Sequence, residues 1–329
     1  MKIRLDNAPA APAGCYLQHL AKILVRHAPE HEYIVDDDRR KGIDLYLGFR
    51  PELPFAVRIL RVKTVVTVVN LNFLRYPHLY SLSERLFLLR SYRRTLRRAG
   101  RLITVSTPAR EELSLRLKID PARIEVVLPL AARVPQTPPA ADVLEAVRRK
   151  YALPEQFVLM LGPVEPRHNH EKVLEALFAS ETPVGAVICG RRTAYSDFLL
   201  DYARRRHLAA RVEFIYELSP HDLPALFCLA RLFAYLPDAA AEPAIVPVVE
   251  ALRAGLPMLL SDTAVNREAA GDAAVYADPA CVGSVAAALD RLLGDEPLRR
   301  EMQVRESRRA ELFSEYAVAR RLMAICTSL

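Results

Sequence analysis

Glu242 and Glu250 are the acidic residues whose setting suits a ligand rich in hydroxyls. Pro243 and Pro247 forbid a single regular helix between them, so Glu242 falls in a loop and Glu250 in the first turn of a helix starting near Pro247. A helix start offers unpaired N–H groups and positive dipole to an anion, and a carboxylate one turn in can accept hydrogen bonds from two vicinal hydroxyls. The spacing alone suits two surface charges equally well. Asp36-Asp37-Asp38 carries acidic oxygens fit for a hard divalent cation, but between a short strand and Arg39-Arg40-Lys41 it reads as a solvated loop. The 5 cysteines form no CxxC pair; in runs such as AVICG and ALFCLA they read as reduced, mostly buried thiols. Ser106 reads as the cap of a helix starting near Pro108 rather than as a nucleophile.

Such groups need a scaffold to hold them. The chain has 329 residues, 51% hydrophobic and 26% charged, which favours two domains with substantial cores and excludes general disorder. Its 11 glycines are about half the usual share, and none falls in a GxGxxG or Walker pattern, so a P-loop NTPase is excluded and the standard dehydrogenase fingerprint is absent. Short apolar runs alternate with helical segments. The runs are 33–35, 45–47, 65–69, 102–105, 124–127, 157–161, 185–189, 212–215, 232–236, 258–260 and 274–276. Continuous hydrophobicity in each implies parallel strands covered on both faces, hence an α/β class of two doubly wound domains. Three prolines in 134–142 mark a linker. The expected division is an N-terminal domain 1–134, a linker 135–150, a second domain 151–305 and a C-terminal helix 306–329 that crosses back. Ligands are expected in a cleft at the carboxyl ends of the strands.

A net charge of +7 suggests an anionic partner. Between Ser83 and Arg101, arginines stand at 85, 90, 93, 94, 97, 98 and 101 against the single acid Glu84, while Leu82, Leu86, Leu89, Leu96 and Ala99 recur at helical spacing. This basic amphipathic helix either turns its apolar stripe to the core or meets anionic lipid headgroups. Interleaved aromatics and nucleic-acid motifs are missing, so no nucleic-acid partner is expected. No apolar run reaches the roughly 18 to 20 residues of a membrane span, and MKIRLDNAPAAP leads into no secretory core; a cytoplasmic protein, peripheral at the inner membrane face, is the expectation.

The segments LITVSTPAREEL, ARIEVVLPL, LMLGPVEPRHNHEKVLEAL, VEFIYELSPHDLPALFCLARLFAYLP and EPAIVPVVEALRAGLPMLLSDTAVNREAAGDAAVYADP occur in that order. Together they resemble the retaining, family-4 type glycosyltransferases of GT-B fold, from about Val65 to Leu312 and most strongly from Glu242 to Pro279. The resemblance implies transfer of a sugar from a UDP- or GDP-linked donor to a glycan or lipid-linked acceptor. It implies no metal and no cofactor beyond the nucleotide sugar. Glu250 would hold the donor ribose, Glu242 would act at the transferred sugar and its phosphate, and Ile245 and Val246 would lie beside the donor. Gly162, Arg167, His168, Gly190, Arg191 and Arg192 would meet the diphosphate, whose leaving charge needs cations or oriented donors. Backbone near Tyr216 to Leu218 would read the base, and Gly14 and Asn70 would line the facing wall.

Several family positions are changed. Pro163 stands for an arginine, His168 for a lysine, Val69 for a histidine, and Pro243-Ala244-Ile245 for glycine, aromatic, glycine. These losses allow an alternative, a non-catalytic GT-B scaffold or regulatory partner. Retention on the same face, assisted by the leaving phosphate, demands no dedicated protein base, so transfer remains the leading reading.

Overall fold

A run such as Phe157–Leu161, FVLML, puts apolar side chains on both faces of an extended backbone, and only a sheet covered on both sides buries them all. A computed structural model describes the chain except residues 6–19, 21, 36–41, 49–61, 70, 131–133, 135–136, 181 and 239–244. It divides into two units, Met1–Leu130 with Leu312–Leu329, and Ala131–Glu311.

The first unit holds β1 (Lys2–Leu5), β2 (Glu32–Val35), β3 (Leu45–Gly48), β4 (Lys63–Val68), β5 (Arg101–Thr104) and β6 (Ile124–Val126). They form a parallel sheet in the order β2-β1-β3-β4-β5-β6. Tyr46, Val66 and Leu102 from the strands pack with Leu96, Leu113 and Leu117 from the covering helices. Ser106 caps the Thr107–Leu117 helix as expected, accepting the Ala109 N–H at 3.2 Å. The Glu315–Thr327 helix also belongs to this unit and buries Val318, Leu322 and Ile325. Arg321 there binds Glu125 of β6 at 2.7 Å.

The second unit holds β7 (Phe157–Leu161), β8 (Gly185–Cys189), β9 (Val212–Ile215), β10 (Leu232–Tyr235), β11 (Met258–Ser261) and β12 (Val275–Ala277). All pairs are parallel, in the order β12-β11-β10-β7-β8-β9. The chain winds outward from β7 to one edge and returns at β10 to build the other half, so the winding reverses between β7 and β10. Val158, Leu174, Ile188, Leu232 and Leu289 form the centre of its core. Each such side chain contributes about 1.5–3 kcal/mol by leaving water.

All eleven expected runs are strands, and β1 is an addition. Three expectations change. Residues 141–150, read as the end of a linker, form a helix that belongs to the second unit and buries Val147. Its end is tied down where Lys150 and Tyr151 bind Asp222 at 2.6 and 2.8 Å. Of the described cysteines, Cys189 and Cys326 are buried, but Cys228 and Cys281 are exposed. The Leu82–Arg98 helix does not turn its whole leucine stripe inward: Tyr92, Thr95 and Leu96 are buried, whereas Leu82 is 70% exposed and Leu86 45%. Helix contacts with the core start at the half-buried Leu88 and Leu89 and continue through Tyr92 and Leu96.

Candidate active site

In an open parallel sheet, the two loops that leave adjacent strands in opposite directions cannot cover the crevice between them, and ligands bind there, outside the carboxyl ends. In the second unit that place is the end of β7, flanked by β10 and β8.

After β7 the chain passes Gly162 at φ +131°, a conformation side chains rarely adopt. After β8 comes Gly190, where a β-carbon would lie 2.1 Å from the Gly162 carbonyl oxygen. The two backbones therefore abut. Both N–H groups are spent within the sheet, Gly162 donating to Cys189 O at 3.1 Å and Gly190 to Ile215 O at 3.1 Å. What these glycines supply is close approach, not free donors for a phosphate.

His168 is buried against Gly162, its ring 6.0 Å from that of Tyr235 at the end of β10 and 6.0 Å from that of His170. Burial, and then the neighbouring His168, push the His170 imidazole down to about 3, so it is neutral at pH 7. Arg167 donates from Nε to Glu165 at 2.6 Å, and its carbonyl accepts the Asp238 N–H at 2.8 Å. Asn169, at φ 55°, donates from Nδ2 to Leu236 O at 2.8 Å and to Asp238 Oδ1 at 2.9 Å. The loops after β7 and β10 are thus stitched to each other across the point where the winding reverses.

Arg191 is exposed and makes no ion pair with a described residue. Arg192 binds Asp197 at 3.0 Å and lies over the Tyr216 ring at 5.8 Å. Leu218 is half-buried just past β9, the edge strand, two strands and so about 10 Å from β7. Its loop is held where Ser219 N–H donates to Tyr151 Oη at 3.2 Å.

The Val246–Ala254 helix begins where the chain returns from the undescribed stretch after β10. Ile245 precedes it, buried, and Val246 is its first residue. Glu250 is the fifth residue, with 0% exposure, not a first-turn residue looking outward. The helix starts before Pro247, which puts Glu250 in its second turn, within a stretch where Val248, Val249, Ala251 and Leu252 are buried as well. Glu242, Asn70, Gly14 and Asp36-Asp37-Asp38 lie outside the described residues.

The structure therefore brings together Gly162, Gly190, Arg167 and His168, places Arg191 and Arg192 at the next strand end, and leaves Leu218 at the sheet edge. Sequence reasoning missed Asp238, Tyr235 and His170. The one available signal was Asn169, a residue type that tolerates a left-handed conformation, immediately before a helical pattern. A cavity of about 650 Å³ opens instead at the amino ends of β10 and β11, beside Arg231, Leu256 and Pro257, the wrong end for a site of this architecture. No group of three or more His, Cys, Asp or Glu could hold a metal ion among the described residues.

The glycosyl transferases group 1 model matches residues 145–309, and a glycosyl transferase 4-like domain matches residues 4–129. The chain is similar to O-antigen chain mannosyltransferase B of Escherichia coli, 28% identical over 257 residues, covering 77% of this chain and 67% of that protein. It is similar to O-antigen chain mannosyltransferase RfbU of Salmonella typhimurium, 22% identical over 225 residues, covering 68% of this chain and 59% of that protein. Among solved structures, Anabaena Alr3699/HepE in complex with UDP and glucose superposes with a TM-score of 0.77 at 15% identity, covering 100% of both chains. At that identity the likeness shows the fold.

Proposed function

From the premise that this chain belongs to the glycosyl transferases group 1 family, we infer that it transfers a sugar from a nucleotide diphosphate sugar to a growing glycan. Its fold is GT-B, two Rossmann-like units each built on a parallel sheet. Mannose is the sugar we propose, because the curated relatives named above are mannosyltransferases of O-antigen chains. The donor is UDP- or GDP-linked, the acceptor a lipid-linked or polysaccharide glycan, the configuration is retained, and no metal takes part. The protein works in the cytoplasm against an anionic membrane face.

One observation carries the reading: the abutting glycines Gly162 and Gly190 at the carboxyl ends of β7 and β8, with Arg167 and Arg191 beside them. Without a β-carbon at Gly190 the loops leaving β7 and β8 stand against each other, so a diphosphate at these strand ends would meet both. Charge on the departing nucleotide would then fall near the Arg167 guanidinium, which is held before the reaction, and a fixed cation costs no reorganisation as charge develops. Arg167, oriented by Glu165 and by the Asp238 N–H on its carbonyl, has the more defined position. Arg191 has the greater freedom. Glu242 would act at the transferred sugar, whereas Glu250 has no exposed surface from which to meet the ribose.

The test is nucleotide release from GDP-mannose and from UDP-sugars by the full chain with a lipid-linked glycan acceptor, with and without EDTA. The expected outcome is metal-independent release with one donor, a product whose anomeric coupling matches the donor, and a rate about 10- to 100-fold lower in Arg191→Ala. Absence of both turnover and a melting-temperature rise with any nucleotide would reject the reading, since a ligand stabilises by RT ln(1 + [L]/Kd).

A further inference from the structure

The Leu82–Arg98 helix has one buried side and one side that nothing in the described protein covers. At 3.6 residues per turn, Tyr92, Thr95 and Leu96 fall on one side and Leu82, Leu86, Phe87, Arg90, Arg93, Arg94, Arg97 and Arg98 on the other. The outer side is divided along the axis. Its first turns are apolar, with Leu82 70%, Leu86 45% and Phe87 69% exposed. Its later turns carry five exposed arginines, none of which makes an ion pair with a described residue. The one acid of the helix, Glu84, is already engaged, accepting from Ser81 N–H at 2.8 Å and Ser81 Oγ at 2.7 Å.

Both halves of this side call for a partner, and of different kinds. Adjacent large apolar groups in water mark an interaction surface. An arginine run without carboxylates marks an anionic one. A polyanion would satisfy the arginines and leave Leu82 and Phe87 wet. A bilayer with anionic headgroups offers phosphate in one layer and hydrocarbon directly beneath it, and the centres of the two halves are separated by about 15 Å along the axis.

We propose that the Leu82–Arg98 helix docks the protein on an anionic bilayer tip-first, with Leu82, Leu86 and Phe87 dipping below the headgroups and the arginines at 90, 93, 94, 97 and 98 lying on the phosphates. This rests on the membrane-facing part of the proposed function and deepens it. Its test reads lipid binding alone, so a failure leaves sugar transfer to be judged by nucleotide release.

The chain has no tryptophan, so Phe87→Trp makes the tip its own fluorescent reporter. With vesicles of equal parts phosphatidylglycerol and phosphatidylcholine, Trp emission should shift to the blue and the full chain should co-sediment; with phosphatidylcholine alone neither should occur. Arg93→Glu with Arg97→Glu should weaken binding about tenfold or more, and more steeply in low salt. Leu82→Ser with Phe87→Ser should weaken it comparably with an unchanged melting temperature, because both side chains are exposed. No co-sedimentation, or binding without a blue shift, overturns the proposal. Loss in the arginine variant with full retention in the apolar one also overturns it, because the apolar tip then takes no part in binding.

Discussion

At position 190 a β-carbon would also lie 2.9 Å from Val164 Cγ2, so the side chain above and the carbonyl beside it leave no direction for relaxation. Gly190→Ala must therefore push β7 and β8 apart where Leu161 pairs with Cys189. The expected loss is about 3 kcal/mol, read by chemical denaturation. Gly294→Ala, where nothing lies within 4 Å, should cost nothing. Glu306 makes a second residue-scale prediction. It has 0% exposure and neither carboxyl oxygen has a hydrogen-bond partner, so burial raises its pKa well above the ordinary value. The folded protein then holds a proton that the unfolded chain has released, and stability falls as pH rises above about 4.5 until the folded group itself ionises. Glu306→Gln should flatten that slope and gain about 1–3 kcal/mol at the alkaline end, read by urea midpoints across pH. Neither feature can be seen in the sequence, because both depend on what the fold places against the residue. The same holds for Asn169 and Asp238. Their bond joins loops far apart in the chain, whereas Arg167, His168 and the glycines stood at strand ends that could be read directly.

A capping box explains where the Leu82–Arg98 helix begins, but its energetic reach depends on what the first turns contact. Ser81 accepts the Glu84 N–H while Glu84 answers the Ser81 N–H. The first buried residue of the helix is Tyr92, so the first two turns hang on the cap with little packing behind them. Ser81→Ala should cost about 1 kcal/mol, but as local fraying. The amides of residues 85–90 should exchange about fivefold faster while the melting temperature scarcely moves. A fall in melting temperature equal to the full cap energy would contradict this. Elements were legible where a single pattern dominated. Strands buried on both faces show as unbroken apolar runs. β1, KIRL, alternates buried apolar with half-buried basic residues and so lacks that signature, although it sits inside the sheet between β2 and β3. The Ala141–Lys150 helix was hidden by the prolines before it, although Val143, Leu144 and Val147 carry a helical spacing and the chain beyond Pro139 is free to adopt it.

At the scale of the whole chain, the second unit is continuous in sequence and the first is not. Its last segment, Leu312–Leu329, arrives only after every residue of the second unit. That segment packs Phe313, Val318, Leu322, Ile325 and Cys326 into the first unit. It also sets Tyr33 Oη 3.8 Å from Met323 Sδ, and places Glu315 2.8 Å from Arg26. A β-carbon at Gly100 would meet Leu329 Cδ2 at 2.8 Å, so even the final residue lies against the turn before β5. Deleting residues 312–329 should therefore destabilise strands that precede them by more than 180 positions in the sequence while sparing those they follow directly. The measurement is hydrogen exchange of the truncated and full chains. Protection should fall at least tenfold for amides of β1 to β6, as expected when several fully buried side chains are lost, and change little in β7 to β12. Equal loss in both sheets, or intact protection in the first, would mean that the end of the chain does not complete the first unit.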